Sequence, residues 1–137
     1  MKTLLILITL FLSFTISAQS TSTIVVNISY FESNEGKVYV ALYDSADTFL
    51  SKHKKGAVSE ISDLKSTVTF EGVENGTYAI SVFHDENGNG KLDTGMFGIP
   101  SEPVGTSNNA SGFFGPPEFD DAKFKATGEK IELDINL

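Results

Sequence analysis

The residues best suited to chemistry lie in one acidic, glycine-rich stretch in the second half of the chain. Gly90 sits in its middle, and oxygen-bearing side chains recur around it at Asp85, Asn87, Asn89 and Asp93. This is the pattern D-x-N-x-N-G-x-x-D, in which spaced oxygens and a glycine bend let a short backbone wrap a hard cation. The spacing predicts a calcium site formed by these four side chains and the backbone carbonyl of Lys91.

The stretch departs from an EF-hand loop at the position of the bidentate glutamate, which here is Met96. Calcium takes about six to eight oxygen ligands, so another acid has to come from elsewhere in the chain. The candidates are Glu86, Glu102, Asp120 and Asp121. Mg²⁺ fits less well because it demands strict octahedral geometry. The alternative is a polar loop tip in which Asn, Gly and Asp only form turns.

The composition excludes several other kinds of site. The sequence has no cysteine and two histidines, which excludes a thiol nucleophile and a three-histidine zinc centre within one chain. His84 precedes Asp85, but neighbours on a strand point to opposite faces, which disfavours a base with its orienting carboxylate. The net charge of −8 and the absence of arginine disfavour nucleic acid and anionic membranes as partners. No catalytic residue is assigned.

The N-terminal residues have the order of a secretory signal peptide. Lys2 is charged, an apolar run extends from Leu4 to Leu12, and Ser17 and Ala18 are small. The run is short for a membrane span, and no second apolar segment follows it. We therefore expect residues 1–18 to be a signal peptide and residues 19–137 to form one domain, secreted to the periplasm or the extracellular space.

Apolar and polar residues alternate through most of residues 19–137, which is the period of a strand with one buried face. Seven such stripes contain Ile24, Val38, Val58, Val68, Tyr78, Phe124 and Ile131. The first two are predicted to pair as a hairpin, and Asn75-Gly76 is predicted to supply the positive φ angles of another tight turn. The fold class expected is all-β, a single seven-stranded antiparallel β-sandwich.

Residues 85–119 interrupt this pattern. They contain all four prolines and seven of the twelve glycines, together with Phe97, Phe113, Phe114 and Phe119. A connection of this length is uncommon unless it is functional or disordered, and disordered segments are poor in aromatic residues. We expect one long ordered loop without strands, anchored on the core by its phenylalanines.

Several motifs together resemble a known family. They are GKVYVALYD (36–44), GTYAISVFHDENGNGKLD (76–93), FGIPSE (97–102), SNNA (107–110) and FGPP (114–117). The set is similar to the bacterial secreted proteins grouped as domain of unknown function 2141, over nearly all of the mature chain. The resemblance implies secretion and one domain, and implies that the 85–93 loop packs with Asn108, Pro116 and Pro117. The strand entry at residues 76–78 also resembles transthyretin-like and carboxypeptidase-regulatory-like sandwiches. The seven-stranded sandwich is therefore expected to be of an immunoglobulin-like or transthyretin-like kind.

Three functions remain open from the sequence. The first is a calcium-stabilised, non-enzymatic module with a binding or structural role, whose partner is an unidentified protein or carbohydrate. The second is a small hydrolase or carbohydrate-active enzyme with two loop carboxyls about 5–10 Å apart in a cleft. The third is a carrier of apolar small molecules, which would need a deep pocket lined by Phe97, Phe113 and Phe114.

Overall fold

The computed structural model describes residues 18–137, so the predicted signal peptide, residues 1–18, lies outside the described residues except for Ala18. The strands of this part are β1 (Ser22–Ser29), β2 (Lys37–Tyr43), β3 (Lys55–Ser59), β4 (Lys65–Val73), β5 (Gly76–Asp85), β6 (Val104–Thr106), β7 (Phe124–Ala126) and β8 (Lys130–Asn136). One helix, α1 (Phe119–Ala122), and the 3-10 turns Met96–Gly98 and Ser107–Asn109 complete it. None of the helices in residues 18–137 has the length and apolar character needed to cross a membrane.

The strands form two sheets. The smaller sheet has the order β4-β1-β8, and the larger has the order β3-β2-β5-β6 with β7 also paired to β5. The all-β prediction is confirmed, but two of its details are wrong. The described chain has eight strands rather than seven, because β6 forms inside the stretch expected to lack strands. The smaller sheet is mixed rather than antiparallel, because β1 and β8 run parallel.

One hydrophobic core lies between the sheets, and it is built from the alternating stripes seen in the sequence. In β1, every second residue from Ser22 to Ile28 is buried while the residues between them are half-buried. The larger sheet faces this stripe with Val38, Val40 and Leu42 of β2 and with Ile80 and Val82 of β5. Because both sheets bury one face against the same core, period-two alternation was a valid guide to the strands.

The predicted hairpin between β1 and β2 is wrong. β1 pairs with β4 and β8, whereas β2 pairs with β3 and β5 in the other sheet. The connection between them changes direction at Tyr30, whose φ is +66°, and buries Phe31. Alternation shows which face of a strand is buried, not which strand pairs with it. β1 and β2 follow each other in sequence but lie in different sheets, on opposite sides of the core.

The turn predicted at Asn75-Gly76 also differs. Neither residue has a positive φ, and the short connection carries the chain from β4 in one sheet to β5 in the other. The hydroxyl of Tyr78 donates to the carbonyl of Glu74 at 2.9 Å and fixes this corner. Positive φ angles at successive residues occur elsewhere, for example at Asp63 and Leu64, inside the bridge between Ser62 and Lys65, and at Asn108 and Asn109.

Strand β5 shares one edge between two short partners. β7 pairs with the residues from Gly76 to Tyr78, and β6 pairs with those from Ser81 to Phe83. Between the two, the backbone N–H of Ile80 donates to the hydroxyl of Ser107 at 2.9 Å. The same hydroxyl donates to the carbonyl of Ala122, at the end of α1. A buried side chain therefore completes the hydrogen bonding of β5 where neither strand reaches it.

The neighbouring asparagines extend this junction. The amide of Asn108 donates to the carbonyls of Asp121 and Lys123, at 3.1 and 2.9 Å. Asn109 accepts the N–H of Asn136 at 2.9 Å, which ties the junction to β8. The motif SNNA thus joins β5, α1 and β8.

We predict that Ser107→Ala destabilises the fold by about 1–3 kcal/mol, because it leaves the buried N–H of Ile80 and carbonyl of Ala122 without this partner. Ser111→Ala is the matched control, since Ser111 is exposed. Urea denaturation of both variants measures the difference. Equal midpoints for the two variants would contradict the role assigned to Ser107.

Candidate metal centre

Asp85 begins the candidate site and lies at the end of β5, where it pairs with Lys37 of β2. Its carboxylate is buried and turns toward the loop that follows. Oδ1 accepts the backbone N–H of Asn89 at 3.2 Å, and Oδ2 accepts that of Gly90 at 2.8 Å. Gly90 has a φ of +79°, a conformation that suits glycine. The loop therefore closes around the carboxylate of Asp85.

The other predicted side chains meet above this turn. The amide of Asn89 donates to both oxygens of Asp93 at 2.9 Å, and the amide of Asn87 also donates to Asp93. The oxygen of Asn87 accepts the N–H of Asn89, and the oxygen of Asn89 accepts the N–H of Lys91, both at 3.1 Å. The structure thus brings all five predicted ligand residues into one hydrogen-bonded network.

Carboxylates are sparse in this network. No group of three or more His, Cys, Asp or Glu side chains that could hold a metal occurs among residues 18–137. The candidate site has two carboxylates, those of Asp85 and Asp93, and two amide oxygens. Its ability to hold a cation depends on the amides, because oxygen ligands from Asn also suit hard cations.

Glu102 closes the loop from the other side. Its Oε1 accepts the N–H of Glu86 and its Oε2 accepts the N–H of Asp93, both at 3.0 Å. The side chain is buried. Because each of its oxygens holds one end of the loop, Glu102 acts as a brace between the two ends.

The remaining candidate ligands lie apart from the loop or at its rim. Glu86 is exposed, and its Oε1 lies 3.9 Å from Nδ1 of His84. Asp120 pairs with Lys123 at 2.8 Å. Asp120 and Asp121 belong to α1, which joins β5 through Ser107 at the level of Ile80. That level is five residues from Asp85, about 17 Å along a strand, so the structure does not bring α1 to the loop.

His84 and Gly36 fix the base of the site, a role that the sequence did not reveal. Nε2 of His84 contacts the carbonyl of Glu35 at 2.6 Å, and because a carbonyl only accepts, this nitrogen carries the proton. The ring is fully buried and packs edge-on against Phe31 at 5.2 Å. A Cβ added to Gly36 would lie 1.9 Å from the carbonyl oxygen of Asp85. The β1–β2 connection therefore lies directly against the strand end that carries Asp85.

The predicted anchoring of the long loop by phenylalanines is wrong for three of them. Phe97, Phe113 and Phe114 are 93%, 91% and 97% exposed. Two surface depressions of about 360 and 510 Å³ lie near Pro116, and neither is lined by Asp85 or Asp93. Phe119 is half-buried and its ring packs against that of Phe49 at 5.7 Å, as expected. The rest of the loop is held by Glu102, β6 and the Ser107 junction, so polar contacts replace most of the expected apolar ones.

The motifs of the long loop are also anchored at separate places. Asn108 bonds to α1, and Pro116 and Pro117 line a depression together with Phe49 and Phe119. The 85–93 loop is held by Glu102. Asn108, the two prolines and the 85–93 loop are therefore anchored by different partners, in place of the expected packing of Asn108 and the prolines on the loop.

We predict a pH effect centred on Asp93. Hydrogen bonds from the amides of Asn89 and Asn87 lower the pKa of Asp93 below its ordinary value of 3.8. A lowered folded-state pKa adds stability above the unfolded pKa, and this stability is lost as the pH falls from 3.8 through the folded value. The difference in melting temperature between the wild type and Asp93→Asn should therefore shrink below that pH. A constant difference down to the acid limit of folding would be inconsistent with this network.

We also predict that Gly36→Ala is about 1–3 kcal/mol more destabilising than Gly72→Ala. Gly36 and Gly72 have similar φ angles, +71° and +65°, so the cost of a left-handed alanine is matched. Only at Gly36 does the new Cβ meet backbone, whereas nothing lies within 4 Å at Gly72. Chemical denaturation measures the free energy of unfolding of the two variants. Equal losses of this free energy would contradict the prediction, because they would mean that the backbone at Asp85 moves away from the new Cβ without cost.

Comparison with known proteins gives one match. Residues 26–134 match the family described as "Uncharacterized protein conserved in bacteria (DUF2141)". No curated protein and no solved structure matches the chain significantly. The matched range contains the 85–93 loop, Glu102 and the Ser107 junction. Because it covers well over half of the sequence, the chain belongs to the bacterial family DUF2141.

Proposed function

We propose that the protein is a secreted, calcium-stabilised β-sandwich module with a binding or structural role in the periplasm or at the cell surface, and not an enzyme. The observation that carries the proposal is the convergence of Asp85, Asn87, Asn89 and Asp93 in one network around a closed turn. The signal-like residues 1–18 support secretion. The two facing sheets suit a transthyretin-like variety of sandwich, although its smaller sheet is mixed.

The network retains acceptors for an ion. Each amide oxygen of Asn87 and Asn89 accepts one backbone N–H, and a carbonyl oxygen has two lone pairs. The carboxylate of Asp85 accepts two N–H groups out of about four acceptor sites. The ion would replace the amide groups that now donate hydrogen bonds to Asp93, and the carbonyl of Lys91 and water would complete the shell.

The charge of the site limits its affinity. Two carboxylates and two neutral amides attract a cation less than the richer acidic loops of intracellular calcium sensors. Affinities of about 0.1–1 mM are typical of extracellular calcium modules, and we expect this range here. A weak site of this kind stabilises a protein where calcium is abundant, which fits a role outside the cytoplasm.

The alternatives find less support in the geometry. A hydrolase would need the carboxyls of the 85–93 loop in a cleft, whereas the carboxylate residues that line the two depressions near Pro116 are Glu118, Asp120 and Asp121. A carrier would need Phe97, Phe113 and Phe114 around a deep apolar pocket, and all three side chains are exposed to solvent.

We predict that calcium raises the melting temperature of the metal-stripped protein. At a calcium concentration a hundredfold above the dissociation constant, binding only to the folded state adds about 2.7 kcal/mol, which corresponds to several degrees. Calorimetric titration measures binding directly, and thermal denaturation measures the stabilisation. Mg²⁺ should have a smaller effect.

Two variants test the ligands. Asp85→Asn and Asp93→Asn should each abolish the calcium-dependent shift, because each removes one of the two carboxylates. Asp120→Asn is the control, since Asp120 lies on α1 and pairs with Lys123. A flat titration of the wild type with both ions at millimolar concentration, without a thermal shift, would leave the loop as a turn and refute the metal site.

A further inference from the structure

An apolar tip, residues 96–99, projects from the loop that follows the candidate metal centre. Its base is closed by backbone hydrogen bonds: Ser101 donates to the carbonyl of Asp93 at 2.9 Å, and Gly95 donates to that of Ile99 at 2.7 Å. The N–H of Ile99 turns back to the carbonyl of Met96 at 3.3 Å. The tip is therefore a small closed turn standing on the last predicted ligand residue.

Its large side chains point away from the protein. Met96, Phe97 and Ile99 are 78%, 93% and 64% exposed, and the fourth residue is Gly98. Single exposed apolar side chains are ordinary, but three within one four-residue turn are a local cluster of the kind that marks an interaction site. Phe97 also has a φ of +60°, which is an unfavourable backbone conformation for a bulky residue. The backbone keeps this conformation although the ring of Phe97 is 93% exposed.

We propose that this tip inserts into a zwitterionic phospholipid surface. Residues 95–99 carry no polar side chain, so the tip offers nothing for directional recognition of a polar ligand. The backbone N–H of Ile99 in the tip and that of Gly95 at its base are bonded within the turn, which lowers the cost of removing these two groups from water. An exposed apolar turn of four residues is short enough for the shallow depth, about 5–10 Å, at which interfacial segments enter a bilayer.

Charge decides the kind of lipid. Residues 85–102 contain four carboxylates and one lysine, Asp85, Glu86, Asp93, Glu102 and Lys91, for a net charge of −3. The tip itself has no Lys or Arg that would attract anionic headgroups. An anionic bilayer would repel this end of the molecule, whereas a neutral headgroup layer would not.

The metal centre and the tip are coupled through Asp93. This residue supplies a carboxylate to the proposed site and a backbone carbonyl to the base of the tip. On the proposed calcium function, which this step requires, a bound Ca²⁺ changes the net charge of residues 85–102 from −3 to −1 and fixes the base of the tip. Calcium should therefore strengthen insertion without being in contact with lipid.

Flotation with phosphatidylcholine vesicles, in saturating calcium and in chelator, tests the proposal. We expect the full chain to float with vesicles in calcium. The double variant M96S/F97S should bind at least about tenfold more weakly, because it lacks two apolar side chains that insertion would bury in the bilayer. F113S/F114S is the matched control, since these phenylalanines are equally exposed but lie outside the tip. All of these side chains are at the surface, so the variants should fold, which their melting temperatures verify.

The outcomes separate the two proposals. No flotation of the wild type, or equal loss in both double variants, overturns insertion by the tip and leaves the patch to a protein partner. Calcium binding by calorimetry without flotation also overturns it, while the metal site stands. Tip-dependent flotation that is equal in calcium and chelator supports insertion and overturns its coupling to calcium. Stronger flotation with added phosphatidylglycerol in chelator would overturn the preference for neutral lipid.

Discussion

The ten residues of β5 need hydrogen-bond partners along both edges, and the rest of the structure is arranged to supply them. β2 serves one edge, while β6 and β7 share the other and leave a gap at Ile80 that the hydroxyl of Ser107 fills. This requirement fixes the course of the long segment after Asp85. The segment has to run back along β5 as β6, continue to α1, and pair with β5 a second time as β7. The end of β5 then holds Asp85 in a buried, rigid position from which the candidate metal loop starts.

The strands were predictable because their apolar residues alternate, but the pairing of the strands was not. β1 and β2 each show one buried stripe, and the same stripe is produced by strands of one sheet or by strands facing each other across a core. The corner at Asn75-Gly76 shows the same limit, because a turn-forming pair does not specify whether the chain stays in its sheet. Short β6 was missed since three residues that include Gly105 are too few to show a period.

The candidate site was predictable where its residues are close in sequence. The spacing from Asp85 to Asp93 is a local property, and the structure brings those residues together. The brace by Glu102, the contact with Gly36 and the burial of His84 come from distant segments, so only the tertiary fold reveals them. The exposure of Phe97, Phe113 and Phe114 was not predictable, because composition indicates that an apolar residue prefers burial but not whether the core has room for it. Polar contacts had already fixed the loop.

The parallel pairing of β1 with β8 has a consequence for the order in which the molecule can assemble. Side chains of these strands meet across a sequence separation of 107 residues, as Asn27 does with Asp134. The N–H of Leu137 still donates to the carbonyl of Ser29 at 3.1 Å. One edge of β1 thus stays unpaired until β8 has been made, and such long-range pairing forms slowly. Folding of the smaller sheet therefore cannot finish before residues 130–136 are available to pair with β1.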